Sequence, residues 1–288
     1  MLAAFHGKPE VRAAALARLD ARLAARQLTA GALYRGADAA TPAAALVDSA
    51  DAPTWQAELG LPQWLAYAID YCFGRMPAEQ AVQGVHRLLD AIEPGSDLTR
   101  LAGRVVDDVL ASVAQELEAR GEAAQPLRSA CDGLRTLHRL VSDGEAPPPA
   151  AWRAARKAAT QATNALEDPL DKSLGGCVEA AAWDPLQAPT TVGDVLRLRG
   201  QVPSEHLDRV FGWTAEDDQR TRRLLGEMHQ SYIVGKPDER RDVFMLLREH
   251  HPQDEARLLA YTRYQNAENA SAAVKAADLL LATLGARS

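Results

Sequence analysis

The 288-residue chain is 47% hydrophobic, enough for a substantial core in one large or two ordinary domains, which excludes an intrinsically disordered chain. Aromatic residues make up only 5% while alanine abounds, a balance that favours helices packed through small side chains over sandwiches or barrels. The net charge of −7 is unevenly placed: residues 48–132 hold 14 acids against 6 bases, an acidic half that argues against nucleic-acid binding.

Residues 9–27 set Val11, Ala15, Leu16, Leu19 and Leu23 on one helical face and Arg18, Arg22 and Arg26, four apart, on another. The arginines read as a wet face able to pair with the acidic stretch that follows; a phosphate-binding stripe is the sharper alternative. Between Gly36 and Trp55, Thr41-Pro42 and Asp51 to Pro53 each join a capping residue to a proline suited to a first turn, predicting short helices joined by turns. Leu59-Gly60-Leu61-Pro62 then reads as one helix ending and another starting, because Gly suits the left-handed position after a last turn. The second helix, about 62–73, contains Trp64, Leu65, Tyr67, Ile69, Tyr71, Cys72 and Phe73 and leaves only Gln63 and Asp70 polar. Such a helix is buried on nearly all sides, so the spacing predicts a hub that neighbouring helices enclose.

Pro77 opens a helix to about Ile92, where Glu93-Pro94-Gly95 stops it. Asp97 is positioned to cap the next, in which Leu98, Leu101, Val105, Val109, Val113 and Leu117 keep the helical period to about Arg120. A further helix carries Leu127, Cys131, Leu134, His138 and Val141 to Ser142. Residues 144–149 include Pro147-Pro148-Pro149, the clearest linker in the chain, since consecutive prolines forbid a helix interior. The expected organisation is therefore an N-terminal helical part, 1–143, built around 55–77, and an alanine-rich C-terminal helical part, 150–288, the two open to merging into one domain.

In the C-terminal part, a helix from Ala150 to Leu166 is broken at Asp168-Pro169, and Gly175, Gly176 and Asp184-Pro185 frame a short helix with Cys177 and Trp183. Short helices follow at 192–198 and 204–211. Thr214 caps a longer one whose opening Glu216-Asp217-Asp218 suits the helix dipole. Lys236-Pro237 starts the next, to about His251, and Pro252 begins a long last helix to Leu284. About a dozen helices result, an all-α array with no fixed repeat.

Chemistry has few candidates. The three spaced cysteines, Cys72, Cys131 and Cys177, form no paired framework and suit reduced thiols in a cytoplasm. The start, MLAAFHGKPE, lacks a leader pattern, and no run reaches the ~18 apolar residues of a membrane span, so the default expectation is a cytoplasmic protein with no membrane partner. His229, His250 and His251, with Glu227 and Glu249, form the one polar knot worth inspecting as weak metal candidates, although none lies in a metal motif and no cofactor is expected. Asp70, a lone carboxylate on an apolar helix, is either a general acid with a perturbed pKa or, more ordinarily, a cap on a neighbouring helix. Asp107-Asp108 and Asp217-Asp218 are adjacent and point to different helix faces, which makes them poor catalytic pairs.

The motif Glu58-Leu59-Gly60-Leu61-Pro62, Trp64-Leu65-Ala66, Asp70, Phe73 and Pro77, followed by Leu89, Ala91-Ile92 and Gly95-Ser96-Asp97-Leu98, resembles a bacterial and phage-borne helical family. That family's signature runs ELGIPxWLAxLEDxIFxGLP and then FLxAIxxGADL, and the likeness covers about residues 5–110. It implies a helical fold and brings no established activity. Many members carry a Cys and a His just before the signature, whereas residues 39–51 here, AATPAAALVDSAD, contain neither.

Together these features predict a cytoplasmic binding module without catalysis, in kind an immunity protein or antagonist that holds a toxin or effector with a basic surface. Tyr34, Trp55, Trp183 and Trp213, near predicted helix ends, are the candidate anchors, with Glu58 and Asp70 beside them. The alternative is an enzyme or a ligand-binding or metal-binding protein whose site assembles from distant helices, using Asp70, Glu58 or the three histidines.

Overall fold

The computed structural model describes residues 2–74, 76–234 and 242–285. Among these the chain is all-α, with fourteen α-helices and no β-structure beyond isolated bridges at Leu28–Ala40 and Arg35–Ala40. In order they are α1 (Pro9–Ala24), α2 (Pro42–Val47), α3 (Ala52–Leu59), α4 (Gln63–Phe73), α5 (Ala78–Asp90), α6 (Leu101–Glu118) and α7 (Gln125–Asp143). The rest are α8 (Pro149–Asn164), α9 (Pro169–Ala180), α10 (Thr191–Arg199), α11 (Ser204–Phe211), α12 (Ala215–Tyr232), α13 (Val243–His250) and α14 (Pro252–Gly285).

Helix α4 is the expected hub. Trp64, Leu65, Ala66, Ala68, Ile69, Cys72 and Phe73 are buried, and α2, α3, α5 and α10 pack around them. Its one wetter stripe is Gln63, Tyr67 and Tyr71, spaced four apart and so on a single face. Helix α10 crosses there at Gly193, where a Cβ would fall 2.4 Å from the Tyr71 ring. Only glycine lets the two helices approach so closely, and that requirement is invisible in either helix read alone. The corner before α4 is made as expected: Gly60 closes α3 with φ 62°, and a Cβ there would meet the Ala3 carbonyl at 2.1 Å.

The chain divides into two compact units, Met1–Gln201 with Ser271–Ser288, and Val202–Ala270. The division does not fall at 144–149. That proline run is a tight connection between α7 and α8, which pack on each other, with the His138 and Trp152 rings edge to face at 5.0 Å. In the smaller unit, Leu207, Leu224, Met228, Leu246, Leu247 and Tyr261 form the core, and Thr214 and Asp217 make a full capping box at the start of α12.

Two other expectations shift, and a third cannot be placed. Gly175 and Gly176 lie inside α9 and not at its edge; at Gly175 a Cβ would sit 2.6 Å from the Thr163 side chain, so the residue serves the contact between α8 and α9. Asp97 caps a turn through the Thr99 amide at 2.9 Å, and α6 begins only at Leu101. Lys236-Pro237 lies outside the described residues, and within them α13 opens at Val243, with Asp242 accepting from the Phe244 amide at 2.7 Å.

Candidate functional site

The acids of residues 48–132 largely find partners in the fold. Asp48 accepts from Arg22 at 2.7 Å and from Arg35 at 2.6 Å, and these arginines, Arg35 foremost, hold its carboxyl below the usual range. Asp107, nearly buried, takes Arg135 at 2.8 Å and Arg139 at 2.9 Å. Glu58 faces Arg18, Asp108 faces Arg104 and the Thr283 hydroxyl, and Glu116 faces Arg199. Two of the three arginines expected to share a face, Arg18 and Arg22, are thereby structural, since Arg18 also donates to the Leu46 carbonyl at 2.6 Å; Arg26 falls beyond the end of α1, exposed and at φ 56°, and so leaves that face.

Against that background, Asp90 and Glu93 stand exposed on the rim of a cavity of about 550 Å³ between the end of α5 and the start of α6. Ile92, Leu98, Leu101 and Leu284 give it an apolar lining, and Ser96 joins the rim. Arg12 also lines it, but its Nη1 donates to the carbonyls of Leu89, Asp90 and Ile92 at 3.2 to 3.4 Å, which closes the end of α5. Its Nε is 3.8 Å from the Asp90 carboxylate, a loose pair. The wall is fixed from the N-terminus: Ala4 exchanges backbone hydrogen bonds with Ser96 at 2.9 Å and Gly95 at 2.7 Å. Beside it Phe5 and His6 take left-handed conformations, φ 52° and 54°, which cost energy for residues with a Cβ and hold Phe5 buried under Arg12.

A second cavity, of about 400 Å³, opens between the end of α9 and the outer face of α10, lined by Trp183, Thr190, Asp194, Arg197 and Leu198 among others. Trp183 is 47% exposed there. Arg156, which donates to the Ala182 carbonyl at 3.2 Å, lies over one face of the indole at 3.2 Å from the ring centre.

The remaining sequence candidates separate. Tyr34 stays exposed, at 52%, in the loop before α2. Trp55 is fully buried in the core and so is no surface anchor: its place in α3 turns it inward beside Leu59. Trp213 is half-buried, stacked parallel on Tyr261 at 4.4 Å with Arg257 5.6 Å from its ring centre, so much of it is engaged within the smaller unit. Glu58 is engaged with Arg18, as above. Asp70 is buried and accepts from the Leu33 and Ala43 amides, each at 2.7 Å, so α4 supplies the cap for α2 that the Thr41 side chain does not. Burial pushes its carboxyl up to about 6, against the amide bonds that favour the anion.

His229 is exposed in the last turn of α12, His250 stacks on Tyr232 at 4.9 Å, and His251 ends α13. They do not form a metal site, and among the described residues no group of three His, Cys, Asp or Glu side chains is placed to hold a metal. The three cysteines are buried and their thiols are pushed up to about 12 by desolvation, far from an activated thiolate.

The residue that sequence reading passed over is His138, fully buried, with Nε2 at 2.7 Å from the Ala181 carbonyl and its pKa pushed down to about 4 by burial. It sat among apolar α7 residues at helical spacing, and that pattern was its only available signal. Among the described residues no helix is long and apolar enough to cross a membrane. No protein-family model, curated protein or solved structure matches the chain.

Proposed function

We propose that the protein acts by holding a protein partner, without chemistry of its own, through the cavity between α5 and α6. The observation that carries this reading is the pairing of an apolar lining with two exposed carboxylates, Asp90 and Glu93, in a region whose other acids are largely engaged inside the fold. An apolar recess with an acidic rim suits a partner segment that presents a large aliphatic or aromatic side chain beside Lys or Arg. The narrower form of the proposal is an antagonist, such as an immunity protein, that covers a basic surface on a toxin or effector. The engagement of Asp70, Glu58 and Asp107 in structural bonds supports binding over catalysis.

The test uses short peptides of alternating Lys and Leu, matched with Glu and Leu controls, titrated against the full chain. Binding of the basic series, weakened at least about tenfold by Asp90→Lys with Glu93→Lys and by added salt, supports the reading. Equal binding of both series, or indifference to the charge reversal, overturns it.

A further inference from the structure

The Trp183 cleft has features that the first cavity lacks. Its aromatic wall is fixed: Arg156 covers one face of the indole, is itself anchored on the Ala182 carbonyl, and does not line the cleft. The ring is thus held flat by a cation on one side while about half of its surface stays open. An indole lying loose on a surface would lose rotamer freedom on binding, whereas a braced one has little left to lose.

The polar groups of the cleft are also fixed. Asp194 and Arg197 lie one turn apart on α10 and form an ion pair at 3.4 Å, and the Arg197 guanidinium sits 5.7 Å from the Tyr71 ring centre. Together with Thr190 they set a carboxylate acceptor, guanidinium donors and a hydroxyl at the edge of the cavity. Charge then decides among ligands. Arg197 is matched by Asp194, and Arg156 lies over the indole without lining the cleft, so a phosphate or carboxylate meets a carboxylate beside the one guanidinium there. A positively charged ligand meets the guanidinium of the same pair. What the cleft complements is an uncharged flat ring with donors and acceptors along its edge, and its volume falls within the range of small-molecule sites.

We propose that the cleft between α9 and α10 binds a neutral planar heteroaromatic ligand of nucleobase type, stacked on Trp183 with its polar edge toward Asp194, Arg197 and Thr190. The stacking supplies affinity and the edge contacts supply orientation, so removing the ring weakens binding while removing the guanidinium blurs the choice between bases. This cleft is separate from the one assigned to a protein partner, and each assignment stands or fails without the other.

The experiment titrates adenosine, inosine and cytidine, one at a time, into the full-length protein and follows the indole N–H resonance of Trp183, assigned with Trp183→Phe. The expected result is saturable movement of that resonance with at least one nucleoside. Trp183→Ala is expected to bind that nucleoside roughly tenfold to a hundredfold more weakly, with Trp183→Phe between the two. Arg197→Met is expected to narrow the difference in affinity among the three nucleosides. Inorganic phosphate and ribose 5-phosphate, which carry no ring, are expected to leave the resonance in place. Unchanged circular dichroism and thermal midpoint in each variant establish that the fold is intact, as suits a half-exposed side chain. Absence of any Trp183 shift at millimolar nucleoside overturns the proposal. Equal affinity in Trp183→Ala, or a response to phosphate alone, overturns it as well.

Discussion

Asp70→Asn tests the central joint of the fold. The carboxylate holds two backbone amides at once, Leu33 through Oδ2 and Ala43 through Oδ1, both at 2.7 Å and both buried. An asparagine keeps one acceptor and turns an NH2 group toward the other amide, so one hydrogen bond is lost and a buried donor is left unsatisfied, at a cost of about 1–3 kcal/mol. The opposing effect is ionisation. With the folded pKa raised from 3.8 to about 6, the folded state binds more protons than the unfolded chain across that interval, so this group's stability is fully present at low pH and is lost as pH rises through 6. Asparagine does not titrate and escapes that loss. The destabilisation caused by Asp70→Asn is therefore smaller near pH 7.5 than near pH 4.5, by about 2 kcal/mol. Urea unfolding of both proteins at the two pH values, compared through midpoints and slopes, reads the difference directly. A larger destabilisation at the higher pH would refute the reasoning, because it would mean that the amide bonds outweigh burial and hold the folded pKa below 3.8.

His138→Phe keeps the ring against Trp152 but leaves the Ala181 carbonyl without its donor, so a loss of about 1–3 kcal/mol near neutrality is expected in urea unfolding. With the folded pKa near 4 against 6.5, the native histidine contributes stability above 6.5 that is lost as pH falls toward 4; the wild type is expected to lose about 3 kcal/mol more than the variant over that window. Gly193→Ala puts a Cβ within 2.4 Å of Tyr71 and is expected to destabilise by about 1–3 kcal/mol, seen as a lower thermal midpoint. Thr214→Ala removes half of the capping box on α12, and hydrogen exchange at the first turn of that helix is expected to report a loss of about 1 kcal/mol.

The parts of the fold that were legible in the sequence are those that local chemistry dictates. The left-handed Gly60, the Thr214 cap, the apolar run of α4 and the span of α11 each follow from a few neighbouring residues. What escaped depends on residues far apart in the chain. Gly175 and Gly176 look like helix breakers until Thr163 is seen against the first of them, and the proline run at 144–149 looks like a domain boundary until α7 and α8 are seen to pack across it. The candidate site shows the same division. Trp183 stands out in the sequence by its position near a helix end, but its bracing by Arg156, 27 positions earlier, and the cavity beside it are products of tertiary packing. Trp55 and Trp213, equally prominent in sequence, are taken up by the core and by Tyr261.

Charge makes the point most sharply, and it bears on where recognition resides. Read as a string, the acidic half promises a broad negative face. In the folded chain Arg22 and Arg35 converge on Asp48, Arg135 and Arg139 on Asp107, and Arg199 reaches Glu116 from 83 positions away. Each of these pairs turns long-range attraction into local positioning of helices, and partly exposed pairs of this kind add little stability individually. A net charge spread evenly over a surface would steer a basic partner without selecting where it docks. Two exposed carboxylates at the rim of an apolar recess, Glu93 and the loosely paired Asp90, do both, because steering and the site of burial then coincide.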